Sequence, residues 1–187
     1  MRLATGTDSG RSTPGSSTRV YQAAVHLDEF GPVRLSVGRQ FSNALSPVGL
    51  FDGVAADLNW THAGLGFFAG NQPDVADFGV SNAIREYGAY ARLHSARGGG
   101  GVWSLTTGAI GSYAKDAVNR EFLYFQGLFV NRALSLYASQ EIDYNRGWKA
   151  DLEGAATMPT ATFATARLAL GAPLSVHAGY DNRRSVR

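Results

Sequence analysis

Glu141 and Asp143 stand two residues apart in the stretch LYASQEIDYN. In an extended chain that spacing sets both carboxylates on one face. Paired carboxylates can divide acid and base roles, or hold a cation. The simpler reading, and the one expected here, is two adjacent acids on the wet face of a strand. The four histidines, His26, His62, His94 and His177, share no metal-ligand spacing, and no two of them form an i, i+2 or i, i+4 pair. A zinc or iron site is therefore not expected. A nucleophilic serine would be announced by a GxSxG elbow, and none is present. Gly98 to Gly101 is not a phosphate loop, because no Lys-Ser/Thr follows it and no helix opens after it. The chain has no cysteine, which removes thiolate nucleophiles, zinc-thiolate sites and disulfides. These residues predict neither an enzyme nor a cofactor.

Composition narrows the class without deciding it. The chain has 187 residues, enough for one domain or a piece of a larger one. The net charge is +2, from 17 basic and 15 acidic residues, and Lys115 and Lys149 are the only lysines. The arginines are scattered, so no nucleic-acid stripe forms and no nucleic-acid partner is expected. Mean hydropathy is -0.13, and no run approaches the ~18 apolar residues of a transmembrane helix. Strands that alternate apolar and polar residues can cross a membrane at such an average. Glycine is high, 23 residues against a usual share of about 7%. That excess suits turns and curved strands better than helices.

The elements that must position any site are legible from Arg120 to Asn145. Leu134, Leu136, Ala138 and Ile142 share one parity; Ser135, Tyr137, Ser139, Glu141 and Asp143 share the other. A period of two means a strand with one apolar and one polar wall. With the Asn131-Arg132 turn before it, the stretch reads as a long hairpin of the kind found in transmembrane barrels. Its first strand is two-faced in apolar residues, with Leu123, Phe125 and Phe129 opposite Phe122, Tyr124, Leu128 and Val130. A covered or plugged interior would account for that.

The same alternation recurs along residues 18–187 and predicts about ten antiparallel strands, while residues 1–17 read as a flexible polar lead-in. Short turns are expected near 28–32, 62–63, 98–101, 131–132 and 170–173. Longer connections are expected at 41–53, 71–84, 114–119 and 146–158. Short and long links then alternate, as they do between the two ends of an outer-membrane barrel. No helix of convincing length is predicted. The fold class is all-β: an up-and-down antiparallel transmembrane barrel, or part of a larger one.

In that reading the polar wall faces a wet lumen. Arg34 and Gln40, Asp57 and Asn59, and Arg92 and His94 are its lining candidates in the first half. Tyr137, Glu141 and Asp143, then His177 and Asp181, continue it. Such mixed charge polarises a pore without a strong ion preference. Aromatic residues near strand ends, Trp60, Tyr87, Trp103, Tyr113 and Tyr144, are candidates for membrane-interface girdles. Phe67, Phe68, Phe122 and Tyr124 are read with them. A soluble sandwich or barrel binding a small ligand shares the alternation but inverts its sidedness, burying Leu134, Leu136 and Ile142. A barrel-scaffold enzyme would need a Ser–His pair at one rim.

Three phrases, VRLSVGRQ at 33–40, LYASQEIDYN at 136–145 and AGYDNRR at 178–184, resemble strands of the porin-like barrels of Gram-negative outer membranes. The resemblance implies an outer-membrane location, contact with lipid and lipopolysaccharide, and passive diffusion of small solutes. It carries over no catalytic residue. The start of the chain shows no apolar signal segment, its last strand lacks a terminal aromatic residue, and an open sheet would leave unpaired edges in hydrocarbon. The expectation is therefore a fragment of a longer barrel.

Overall fold

The ten alternating segments form ten strands in a computed structural model, which describes residues 20–74, 76, 78–95, 100–115 and 117–184. They are β1 (Ala23–Phe30), β2 (Val33–Phe41), β3 (Leu50–Asn59), β4 (Ala63–Asn71) and β5 (Ile84–His94). Then follow β6 (Val102–Ala114), β7 (Ala117–Val130), β8 (Leu134–Tyr144), β9 (Thr157–Gly171) and β10 (Leu174–Arg183). All lie in one sheet in sequence order, each antiparallel to the next. The predicted all-β, up-and-down architecture is what the chain adopts. The described register pairs β1 with β2 and β10 with β9, and does not pair β1 with β10. The polar lead-in, and glycines 98 and 99, lie outside the described residues.

Because paired residues share a face, the register fixes the sidedness of the whole sheet. One row illustrates it: Asn59 opposes Gly64, Gly64 opposes Arg92, Arg92 opposes Thr106, Thr106 opposes Gln126, and Gln126 opposes Ser139. On β6 Trp103, Leu105, Thr107 and Ala109 are exposed on one face, while on the other Thr106, Gly108, Ile110 and Ser112 are buried and Val102, at the strand's first position, is exposed. The apolar wall is thus the uncovered one. Val25, Val37, Val54, Phe67, Leu93, Leu105, Leu123, Leu136 and Val176 all belong to it and all are exposed. No described element lies over them. Leu136 does not face a packed interior as a soluble sandwich requires; it is 40% exposed.

The inner wall has a small apolar core of its own. Residues 42–49, between β2 and β3, fold across it and bury Ala44, Leu45 and Val48. These pack with Phe51, Phe68, Ile110, Phe122 and Tyr124. Glycines make the room. Tyr90 lies over its partner Gly66, Phe68 over its partner Gly88, and Leu45 over Gly108, where any Cβ would clash with the ring or methyl above. Rings laid on strand glycines recover packing that a glycine cannot supply itself. This explains β7, whose Phe122 and Tyr124 are inside and covered while Leu123 and Phe125 are outside.

Some local expectations need correction. The 114–119 segment is not a longer loop: β6 ends at Ala114 and β7 begins at Ala117, with Lys115 at φ 48. A bulge between Ser112 and Tyr113 lets the pairing run on to Ala114 opposite Ala117. The link between β5 and β6 spans 95–101, so short and long connections do not alternate strictly. The 146–158 connection holds one short helix, α1 (Trp148–Glu153), closed by Gly154 in the left-handed region at φ 69. Phe68, Phe122 and Tyr124 leave the girdle set, since they are buried on the inner wall.

Leu45→Ala would leave a void over Gly108 and is expected to cost about 2–5 kcal/mol. Gly108→Leu should expel the same loop, since a Cβ at that position would lie 2.6 Å from Leu45 Cδ2. Both variants are expected to lower the unfolding midpoint in detergent and to open residues 42–49 to protease. An unchanged midpoint for Leu45→Ala would remove the loop from the folded core.

Candidate functional site

The inner wall carries the chemistry, and the in-folded segment 42–49 divides it into two zones. Towards the ends of the strands at 60–62 and 95–101 lies a cavity of about 940 Å³. Ser42, Asn43 and Ser46 of the in-folded segment form one side. Arg92 and His94 on β5, Ser104 and Thr106 on β6 and Gln126 on β7 form the floor, with Thr61 and Trp103 at the rim. Arg92 donates to the Asn43 carbonyl at 3.3 Å and stands 5.7 Å from the Tyr90 ring. It makes no ion pair among the described residues. Ser46 and Tyr124 hydroxyls are 2.6 Å apart, and Tyr124 donates to Gln126 Oε1 at 2.6 Å, so the in-folded segment and the cavity floor share one hydroxyl. Tyr90 donates to Asp57, which occupies that carboxylate away from the cavity.

The second zone lies at the other ends of the strands. Arg120 donates to both Asp143 oxygens, at 2.6 to 3.1 Å, to Glu141 at 2.8 Å and to Thr160 Oγ1 at 3.0 Å. Its guanidinium lies 4.1 Å from the Phe122 ring centroid. Thr160 donates to Asp143 at 2.7 Å, and Asp143 is only 1% exposed. Glu86 is buried nearby and receives the Gln72 amide at 3.3 Å. From α1, Lys149 reaches down to donate to the Asn119 carbonyl at 2.6 Å. Glu141 and Asp143, read from sequence as neighbouring wet acids, are jointly the clamp of one arginine. A clamped pair of this kind ties β7 to β8 through one guanidinium.

Every lining candidate from the sequence falls on this inner wall, but the structure does not gather them into one site. Arg92 and His94 line the cavity, Gln40 is buried near Phe51, and Asp57 is held by Tyr90. Arg34 pairs with Asp28 and Asn59 lies exposed at the strand end. Tyr137 packs edge-on against Phe163, and Asp181 pairs with Arg183 on β10. His177 Nε2 is 3.2 Å from Ser175 Oγ, on β10. No described carboxylate orients that imidazole, so the pair lacks the third member of a triad. Among the described residues no cluster of three metal-binding side chains occurs. The sequence reading passed over Arg120, Glu86, Gln126 and Ser46. Following the parity of Tyr124 back to Arg120 and on to Gln126 would have found two of these. Ser46 has no periodicity to betray it.

The five interface candidates, Trp60, Tyr87, Trp103, Tyr113 and Tyr144, all lie on the outer wall, in two groups. Trp60 and Trp103 stand at the strand ends near 60–62 and 95–101, the three tyrosines near the opposite ends. Tyr87 and Tyr113 rings are 6.0 Å apart, and Tyr113 donates to Glu121 at 2.6 Å. Beside them Arg39 holds Asp52 with two bonds of 2.6 Å, and Arg146 pairs with Glu121, which raises the Arg146 guanidinium above its ordinary value. Between the two groups the polar exceptions are self-contained. Gln140 donates to the carbonyls of Glu141 and Ala161, and its own oxygen receives Thr162 at 2.7 Å.

Arg120→Met would leave Asp143 buried without its cation, and is expected to cost about 3–5 kcal/mol. Adding Asp143→Asn should restore a large part of that loss in the double variant, read from denaturant unfolding in detergent. Additive losses would mean that the two side chains are not energetically coupled.

No protein-family model, curated protein or solved structure matches the chain.

Proposed function

We propose that this chain forms a porin-like wall of an outer-membrane channel, with the inner wall facing a wet passage for small solutes. One observation carries the reading: along β2 to β8 the apolar face is the uncovered one and the polar face is mostly covered, while β1, β10 and the end of β9 are open on both faces. In water that arrangement would expose far more contiguous apolar surface than a monomer tolerates, a few hundred Å². In a bilayer it is the required one, since every interior strand satisfies its backbone through neighbours and presents side chains to lipid. The edges β1 and β10 would be met in a closed barrel, either by each other or by added strands.

The aromatic groups support the same reading. Trp103 and Tyr113 are ten positions apart on β6. At about 3.4 Å per residue and a tilt of about 40°, that is about 26 Å along the membrane normal, against an apolar band of about 25 Å. The ends carrying Arg39–Asp52 and Glu121–Arg146 would sit among polar headgroups, lipopolysaccharide on a Gram-negative surface. The ends near 60–62 and 131–133 would face the periplasm. Residues 42–49, folded across the interior, would be the narrowest part of the passage. The mechanism is diffusion, without catalysis or cofactor.

Tryptophan fluorescence tests this directly. In vesicles carrying bromine-labelled lipids, Trp60 and Trp103 should be quenched, whereas Trp148 on α1 should not. Reconstituted chain should also conduct in planar bilayers. Spontaneous folding of the chain to a soluble monomer in detergent-free water would sink the proposal.

A further inference from the structure

The two zones of the inner wall differ in their charge, and that difference names a solute class. Around Arg120 the cation is outnumbered, with Glu141 and Asp143 bound to it and Glu86 close by. The 940 Å³ cavity is the reverse: no carboxylate is among its lining residues, while Arg92 and His94 are. The two acids on the adjacent inner-wall row are both engaged, Asp57 by the Tyr90 hydroxyl and Glu141 by Arg120. Arg92 spends one bond on the Asn43 carbonyl and has no described carboxylate partner, so its remaining N–H groups can receive an anion. Ser46 stands on the in-folded segment, its hydroxyl shared with Tyr124, and Thr106 and Gln126 adjoin Arg92 along the floor, the Gln126 oxygen taken by the same Tyr124 hydroxyl. A simple inorganic anion would use the arginine and leave the hydroxyls and the Gln126 amide N–H groups beside it unused. A solute with a carboxylate at one end and hydroxyls along its length would use both.

We propose that this cavity is a solute-binding site for small hydroxylated carboxylates, the class of sugar acids. The site rests on the channel reading above for its role in transport, but not for its ability to bind. The carboxylate sits on Arg92 with His94 beside it, and the hydroxyls sit against Ser46, Thr106 and Gln126. The volume lies near the upper end of the ~300–1,000 Å³ typical of small-molecule sites, which leaves room for water beside the solute. Water-filled room keeps binding weak, as passage requires.

The test uses the full chain and sodium gluconate, with glucose as the uncharged counterpart. In detergent micelles, equilibrium titration should show gluconate binding, with glucose weaker by about tenfold or more, the worth of one charge-assisted hydrogen bond. Arg92→Gln should abolish the difference between the two probes. His94→Asp, which adds an acid to the cavity, should weaken gluconate and spare glucose. Strand content by circular dichroism accompanies each variant, and the glucose titration reports the integrity of the cavity in both. In planar bilayers, a gluconate gradient should give a reversal potential on the anion side, lost in Arg92→Gln. Binding without conductance would uphold the site and sink the channel reading. Equal binding of gluconate and glucose, or a gluconate preference that survives both substitutions, would overturn the site even if the chain conducts.

Discussion

Ten strands can share one apolar and one polar wall only if every pairing keeps the same phase. Because side chains alternate with a period of two, a slip of one residue in any single pair would turn all later strands inside out. The chain keeps phase across nine pairings. Its irregularities fall at or near strand ends: between Leu27 and Phe30, Ser112 and Tyr113, Glu141 and Ile142, and Leu174 and Ser175. Rows further inside the sheet, such as Asp57 through Gly66, Tyr90, Gly108 and Tyr124 to Glu141, run unbroken. The outer belt of valines, leucines and aromatics and the inner rows of polar groups are two consequences of that single constraint.

On the inner wall, space is as important as phase. A curved sheet has less room on its inner side, and the chain fills it by setting large rings against glycines rather than against one another. Tyr90 over Gly66 and Phe68 over Gly88 leave a level floor on which Leu45 can settle at Gly108. That packing draws residues 42–49 inward and creates the boundary between the cavity and the clamped arginine. The Ser46–Tyr124 bond then ties the loop to the hydroxyl that also touches Gln126. A segment held by three buried apolar side chains and one hydroxyl is fixed enough to shape a cavity.

Much of this is legible in the amino-acid sequence. The strand assignments for Val33 to Gln40 and Leu134 to Tyr144 stand because their alternation is regular and their turn residues are Gly, Pro and Asn. That Arg34, Asp57, Arg92, Glu141 and Asp143 lie on the polar wall of their strands follows from parity; that this wall is the covered one does not. The 114–119 link was misread because Lys115 and Asp116 look like loop residues, whereas cross-strand hydrogen bonding carries β6 and β7 almost to them. The helix at Trp148–Glu153 is too short for a 3.6-residue period to register.

By itself, the sequence determined the period, and with it the all-β class, the order of the strands and which residues share a wall. Those properties are local, set by the two-residue pleat and by turn chemistry. Which wall is covered is not local, because a buried sandwich face and an outward belt have the same alternation. Only the tertiary structure decided that, by leaving Leu105, Leu123 and Leu136 uncovered and folding residues 42–49 over the opposite face. It also decided that Arg120 belongs to Asp143, and Ser46 to Tyr124, across 23 and 78 residues of chain. Contacts at such separations depend on the curvature of the whole sheet, which no single strand encodes.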